Sequence, residues 1–145
     1  MTEKPLAIAS DHAGFALKEQ IKKELGAWNV SFEDLGTHDE KSTDYPIYAH
    51  AVAKGILEGR FSRGILVCGT GVGMSMAANR HRGIRAAACS DTFSARASRQ
   101  HNDANVLCIG ARVVGSGLAA DIVRAFLDAR FEGGRHLARV EKIET

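Results

Sequence analysis

Short runs of apolar residues alternate along this chain with longer stretches in which apolar positions recur every three or four residues. Leu6-Ala7-Ile8-Ala9 is such a run, and an unbroken apolar segment of this length predicts a strand buried on both faces. Phe15, Leu17, Ile21 and Leu25 follow at near-helical spacing, with Gly26 as the expected stop. Residues 30–35 alternate as a second strand, ahead of a polar loop over residues 36–44. Pro46 stands where a helix can start, and Tyr48, Val52, Ile56 and Leu57 supply its apolar face. Gly64-Ile65-Leu66-Val67-Cys68 is a third strand, and Gly69-Thr70-Gly71-Val72-Gly73 opens a helix ending near Asn79. Residues 84–89 predict a fourth strand, with Ser90 or Asp91 capping the helix after it. Residues 105–109 are the fifth. A helix over residues 116–129 turns Leu118, Ile122, Val123, Phe126 and Leu127 inward, and residues 134–143 form a separate terminal helix.

Strands alternating with helices in this way predict an α/β fold. The expected form is a Rossmann-like five-stranded parallel sheet with helices on both faces and a C-terminal helix. Ligands of such sheets bind beyond the carboxyl ends of the strands. That places candidate chemistry on Ser10-Asp11-His12, residues 35–44, Cys68 to Gly73, Ser90-Asp91 and Gly110-Ala111-Arg112.

Composition narrows the class. A length of 145 residues predicts a single domain over residues 1–145. Apolar residues at 45% and charged residues at 25% exclude a disordered or fibrous chain. The longest apolar runs, such as residues 65–68 and 86–89, fall far short of the roughly 20 residues of a membrane span. Met1-Thr2-Glu3-Lys4-Pro5 has no secretory pattern, so a cytoplasmic protein is expected. A net charge of +2 gives no argument for nucleic acid or membrane as partner. The distribution is uneven: six of seven lysines lie in the first 54 residues, and ten of twelve arginines lie from Arg80 onward. Arginine holds phosphate and carboxylate in bidentate fashion, so the second half could take a small anion or simply present a solvated face. Three cysteines without CxxC or CxxH spacing exclude a disulfide framework and a zinc motif.

The strongest local signal is Cys68-Gly69-Thr70-Gly71-Val72-Gly73. Glycines let backbone N–H groups approach an anion at the start of a helix. No Gly-Lys-Ser/Thr follows, and Met74 breaks a GxGxxG pattern, so an oxyanion or phosphate cradle fits better than a dinucleotide site. A tight strand-to-helix turn is the plain alternative. Cys68 is a candidate base or nucleophile, since a thiolate is favoured beside a helix N-terminus; equally, it can be a small buried hydrophobe. Cys89 and Cys108 read as packing. Asp11-His12 lies just beyond the first strand, and Tyr45 follows the polar loop. His101-Asn102 lies at the wrong end of its strand for the main cleft and reaches it only from another subunit. Arg112 is better placed. Arg135 and Arg139, at i and i+4, share one helix face and either hold an anion or sit in water.

Six motifs now stand in order: Ser10-Asp11-His12-Ala13-Gly14, Asp44-Tyr45-Pro46, Cys68 to Gly73, Ser98-Arg99-Gln100-His101-Asn102-Asp103, Gly110-Ala111-Arg112-Val113-Val114-Gly115 and Glu132-Gly133-Gly134-Arg135-His136. Over nearly its whole length the sequence resembles the type B ribose-5-phosphate isomerase family, which includes galactose-6-phosphate isomerase subunits. The resemblance implies interconversion of ribose 5-phosphate and ribulose 5-phosphate through an enediolate, without metal, nucleotide or other cofactor. It implies a homodimer or tetramer whose sites are shared between subunits, which answers the objection to His101 and Asn102. By the same likeness Cys68 is the base at C2, and the loop amides of Gly69, Gly71 and Gly73 face the developing oxyanion. Thr70 helps move the proton between oxygens, and His101 opens the furanose ring. Asp11 and Tyr45 hold hydroxyls, and His12, Arg135 and Arg139 meet the phosphate with Arg112 as a further anion ligand. A second branch of the family uses a glutamate where this chain has Met74, so the resemblance is to the cysteine branch.

Other readings stay open at this stage. The sugar can be a tetrose 4-phosphate, or allose or galactose 6-phosphate, because pocket volume sets chain length. A non-catalytic sugar-phosphate-binding module and a redox role for Cys68 are the rivals from other classes.

Overall fold

The three strands with unbroken apolar sequence form the centre of the sheet. They are β1 (Leu6–Ser10), β3 (Gly64–Cys68) and β5 (Val106–Gly110), each buried at every position. The flanking strands β2 (Phe32–Asp34) and β4 (Ala86–Ala88) are shorter than their sequence patterns predict and partly exposed, because each pairs on one side only. The computed structural model describes residues 3–145, and in it all five strands run parallel in the order β2-β1-β3-β5-β4.

Alternate side chains of the central strands point to opposite faces. Ile8, Ile65, Val67, Leu107 and Ile109 pack under α1 (Phe15–Ala27), α4 (Thr92–Asn102) and α5 (Ser116–Asp128). Ala7, Ala9, Leu66, Cys68 and Cys108 face α2 (Tyr45–Leu57) and α3 (Val72–Ala78). Small residues on that second face let the two helices sit close to the strands. A short α6 (Arg135–Glu141) packs on α4. The expected α/β architecture is therefore present.

Local details differ from the sequence pattern in physically simple ways. Helix α1 runs through Gly26 to Ala27. Leu57, the last residue of α2, is 49% exposed, and Leu118 in the first turn of α5 is 42% exposed. The inward face of α5 is Ala119, Ile122, Val123 and Phe126. Asp91, rather than Ser90, caps α4, accepting the Ser94 N–H at 2.6 Å. Among the described residues no helix is long and apolar enough to cross a membrane.

From β1 the chain steps outward to β2 and then crosses back over β1 to β3. The carboxyl ends of β1 and β3 thus flank the point where the winding reverses, which is where a sheet of this kind leaves a crevice.

Candidate active site

Cys68 closes β3 at that crevice and is buried. Its Sγ accepts the Gly71 N–H at 3.1 Å, so the loop folds back over the thiol. That turn needs Gly71 at φ +81°, a left-handed conformation that glycine adopts without strain. The neighbouring strand comes equally close: a Cβ on Gly110 would lie 2.6 Å from Thr70 Cα. Thr70 Oγ1 accepts the Val72 N–H at 3.3 Å. The Arg112 N–H donates to the Gly69 carbonyl at 3.0 Å, and its guanidinium lies 3.5 Å from where a Gly69 Cβ would stand. Tyr45 opens α2 with its ring against Gly73, where a Cβ would meet it at 2.6 Å. Cys68, Thr70, the three glycines, Tyr45 and Arg112 thus surround one loop.

Asp11 and His12 lie beside it, after β1. The Asp11 N–H donates to the Val67 carbonyl at 3.2 Å, and its Oδ1 accepts the Gly14 N–H at 3.0 Å. His12 Nδ1 stands 3.1 Å from the Thr43 nitrogen and 3.2 Å from the Thr43 carbonyl oxygen. Both contacts engage Nδ1, which leaves Nε2 as the ring nitrogen for a ligand. Thr43 is held in turn by Tyr48, hydroxyl to hydroxyl at 2.8 Å.

Sequence reasoning missed the group beneath this loop. The Lys18 side chain is fully buried, and its Nζ donates to Asp34 at 2.7 and 2.6 Å and to the Thr37 carbonyl at 2.7 Å. Lys22 adds a further contact to Asp34 at 2.8 Å. Burial raises the Asp34 carboxyl pKa, but the hydrogen bonds from Lys18, Lys22 and the Gly36 N–H outweigh it, and the net shift is downward. A signal was available: Lys18 falls on the same buried helical stripe as Leu17, Ile21 and Leu25.

The remaining candidates occupy the other end of the sheet. Helix α4 returns from the carboxyl end of β4 to the start of β5, so His101 and Asn102 stand at the amino-terminal ends of the strands. With His136 and Arg139 they line a hollow of about 260 Å³. Arg135, the first residue of α6, is exposed and is not among the residues lining that hollow. Within one chain the structure brings His101, Asn102 and Arg139 together and keeps them apart from Cys68. A larger hollow of about 600 Å³ lies at the same end, by Leu6, Trp28 and Arg63, and contains no sequence-predicted site residue.

The other two thiols sit in the core. Burial, with help from Asp91, pushes the Cys89 thiol up to about 11. Burial and the neighbouring Cys68 and Cys89 raise Cys108 well above the ordinary thiol range.

Comparison with known proteins shows the family and the fold. Residues 6–143 match the family model described as Ribose/Galactose Isomerase. The chain is 53% identical over 140 residues to ribose-5-phosphate isomerase B of Escherichia coli, covering 97% of this chain and 94% of that one. It is 44% identical over 143 residues to D-erythrulose-4-phosphate isomerase of Pectobacterium atrosepticum, covering 95% of this chain and 91% of that one. The crystal structure of a ribose 5-phosphate isomerase from Thermotoga maritima superposes with a TM-score of 0.96 at 50% identity, over 99% of both chains.

Proposed function

The chain belongs to the ribose/galactose isomerase family and is a phosphosugar isomerase, and from that premise we propose that it interconverts ribose 5-phosphate and ribulose 5-phosphate with Cys68 as base. The observation that carries this reading is the Cys68 loop, in which the thiol ends β3 at the crevice and a glycine-rich turn folds over it into α3. Isomerisation removes the C2 proton and returns it to C1 through an enediolate. Cys68 takes that proton. Amides of the loop from Gly69 to Gly73 stabilise the charge that grows on the carbonyl oxygen. Thr70 passes the hydroxyl proton between the two oxygens. Asp11 and Tyr45 hold sugar hydroxyls, and His12 presents Nε2 to the phosphate beside Arg112.

His101 opens the furanose ring, and Asn102, Arg135 and Arg139 complete the sugar and phosphate contacts. These residues lie at the far end of the sheet in one chain, so the full site takes them from a second copy, in a homodimer or a pair of homodimers. Exposed Ile47, Leu57 and Met76 on α2 and α3 support such pairing, since one side of the sheet carries them together.

A relative that acts on erythrulose 4-phosphate makes a tetrose phosphate the second reading. Comparing kcat/KM across ribose 5-phosphate, erythrulose 4-phosphate, and allose and galactose 6-phosphates decides it, with the pentose expected highest. Cys68→Ala is expected to lower kcat by about 10²–10⁴, the usual worth of a positioned base. Unimpaired turnover of that variant removes the proposed base. EDTA is expected to leave turnover undiminished.

A further inference from the structure

The proposed ring-opening residue belongs to a cluster whose other two members, Glu132 and His136, the proposed isomerisation does not use. His101 and His136 stack with centroids 4.5 Å apart and planes inclined by 15°. Glu132 Oε1 stands 3.8 Å from His101 Nε2 and 3.6 Å from His136 Nε2. One nitrogen of each ring and one carboxylate oxygen all lie within 4.8 Å of one another. Both ring-to-carboxylate separations exceed hydrogen-bond length, so three metal-ligating groups stand side by side without bonding one another.

The backbone brings them there. The Glu132 N–H donates to the Gln100 carbonyl at 3.0 Å, which ties this segment to the end of α4. Gly133 and Gly134 then both adopt positive φ, +66° and +55°, and turn α6 so that His136 covers His101.

We propose that His101, Glu132 and His136 bind a divalent transition-metal ion such as Zn²⁺, and that occupancy silences the isomerase by taking the His101 lone pair. Two imidazoles and a carboxylate are a zinc donor set, with water completing the coordination. Ligand atoms around tetrahedral zinc stand about 3.4 Å apart, so a contraction of at most about 1.4 Å, with a turn of the stacked rings that brings both lone pairs onto one point, closes the cluster. The Glu132 side chain is 51% exposed and the His101 side chain 44% exposed, which gives them room to make it. Arg139 lines the same hollow and opposes a dication; the Glu132 carboxylate offsets it. The site stands on geometry alone, whereas its inhibitory effect rests on the ring-opening role proposed for His101.

Titration with Co²⁺ followed by visible absorption tests the site. Full-length protein carrying Cys68→Ser removes the competing thiolate. One ion per chain is expected, with nitrogen and oxygen ligation and no thiolate charge-transfer band. Adding Glu132→Gln should weaken binding at least about tenfold, and His136→Gln should do the same. Equal affinity with and without Glu132 overturns the site. Activity is the second arm. In the wild type Zn²⁺ is expected to inhibit and EDTA to restore turnover, while Glu132→Gln keeps basal kcat and needs about tenfold more Zn²⁺. Zinc bound at the cluster without inhibition overturns the inhibitory effect and with it the role of His101, and leaves the site standing.

Discussion

At the scale of single residues, three buried thiols have three different surroundings. Cys68 meets a backbone N–H at a crevice, whereas Cys89 and Cys108 meet mainly hydrocarbon. Burial holds Cys89 at about 11 and raises Cys108 well above the ordinary thiol range, so both remain thiols at neutral pH. Iodoacetamide applied to the native protein at pH 8 is therefore expected to leave Cys89 and Cys108 unmodified. Mass spectrometry of the peptides checks this, and alkylation of either one at the rate of an unfolded control would contradict it. The Cys68 loop was legible in the sequence because its chemistry is written in consecutive residues. The Glu132–His136 cluster was not, since it depends on α6 folding back over α4. Lys18 was missed for a different reason. A lysine within an apolar stripe reads as a surface residue until its partner is known, and Asp34 lies 16 residues away.

At the scale of elements, the loop between β2 and α2 is anchored through Asp34. Its depressed carboxyl contributes stability above the ordinary value of 3.8 and loses it as pH falls through the folded-state value. Lys22 is raised above 10.5 by its hydrogen bonds to Asp34 and Glu19, so its share is full below that value and fades as pH rises past the folded one. Asp34→Asn strands a buried ammonium group and is expected to cost about 3 kcal/mol at pH 7. Urea unfolding should show the gap to wild type closing once the pH drops below 3.8. A gap that is constant from pH 7 to pH 3 would contradict the ion-pair account. The contact between β5 and the Cys68 loop carries a second prediction. A methyl group at Gly110 would press on Thr70 Cα from 2.6 Å, and the loop must give way. Gly110→Ala is expected to lower kcat by about a hundredfold, the cost of moving a reacting group by an ångström. Steady-state kinetics at unchanged circular dichroism test it. Element types were legible because unbroken apolar strands and periodic helices differ in pattern. The ends of β2 and β4 were not, because an edge strand pairs only as far as its neighbour reaches.

At the scale of the whole molecule, the proposed site needs two chains. Cys68→Ala and His101→Ala should each be nearly inactive alone, yet equal amounts dissociated and reassociated together should recover about a quarter of wild-type activity. Random pairing makes half of the dimers mixed, and each mixed dimer holds one intact site of its two. No recovery despite confirmed mixing would place each site within one chain. Strand neighbours were the part of the architecture that periodicity could not encode: β5 lies between β3 and β4, although it follows both in sequence. That order has a consequence for synthesis. When β4 emerges from the ribosome, the strand it will pair with has not yet emerged. Nor is Gly110 there to shape the loop that follows Cys68. The nascent chain thus carries its proposed base long before it carries a site, and the sheet closes by inserting its last-made strand into the interior. A released chain truncated before Val106 should leave the β4 amides open to exchange, and protection there should arrive only with β5.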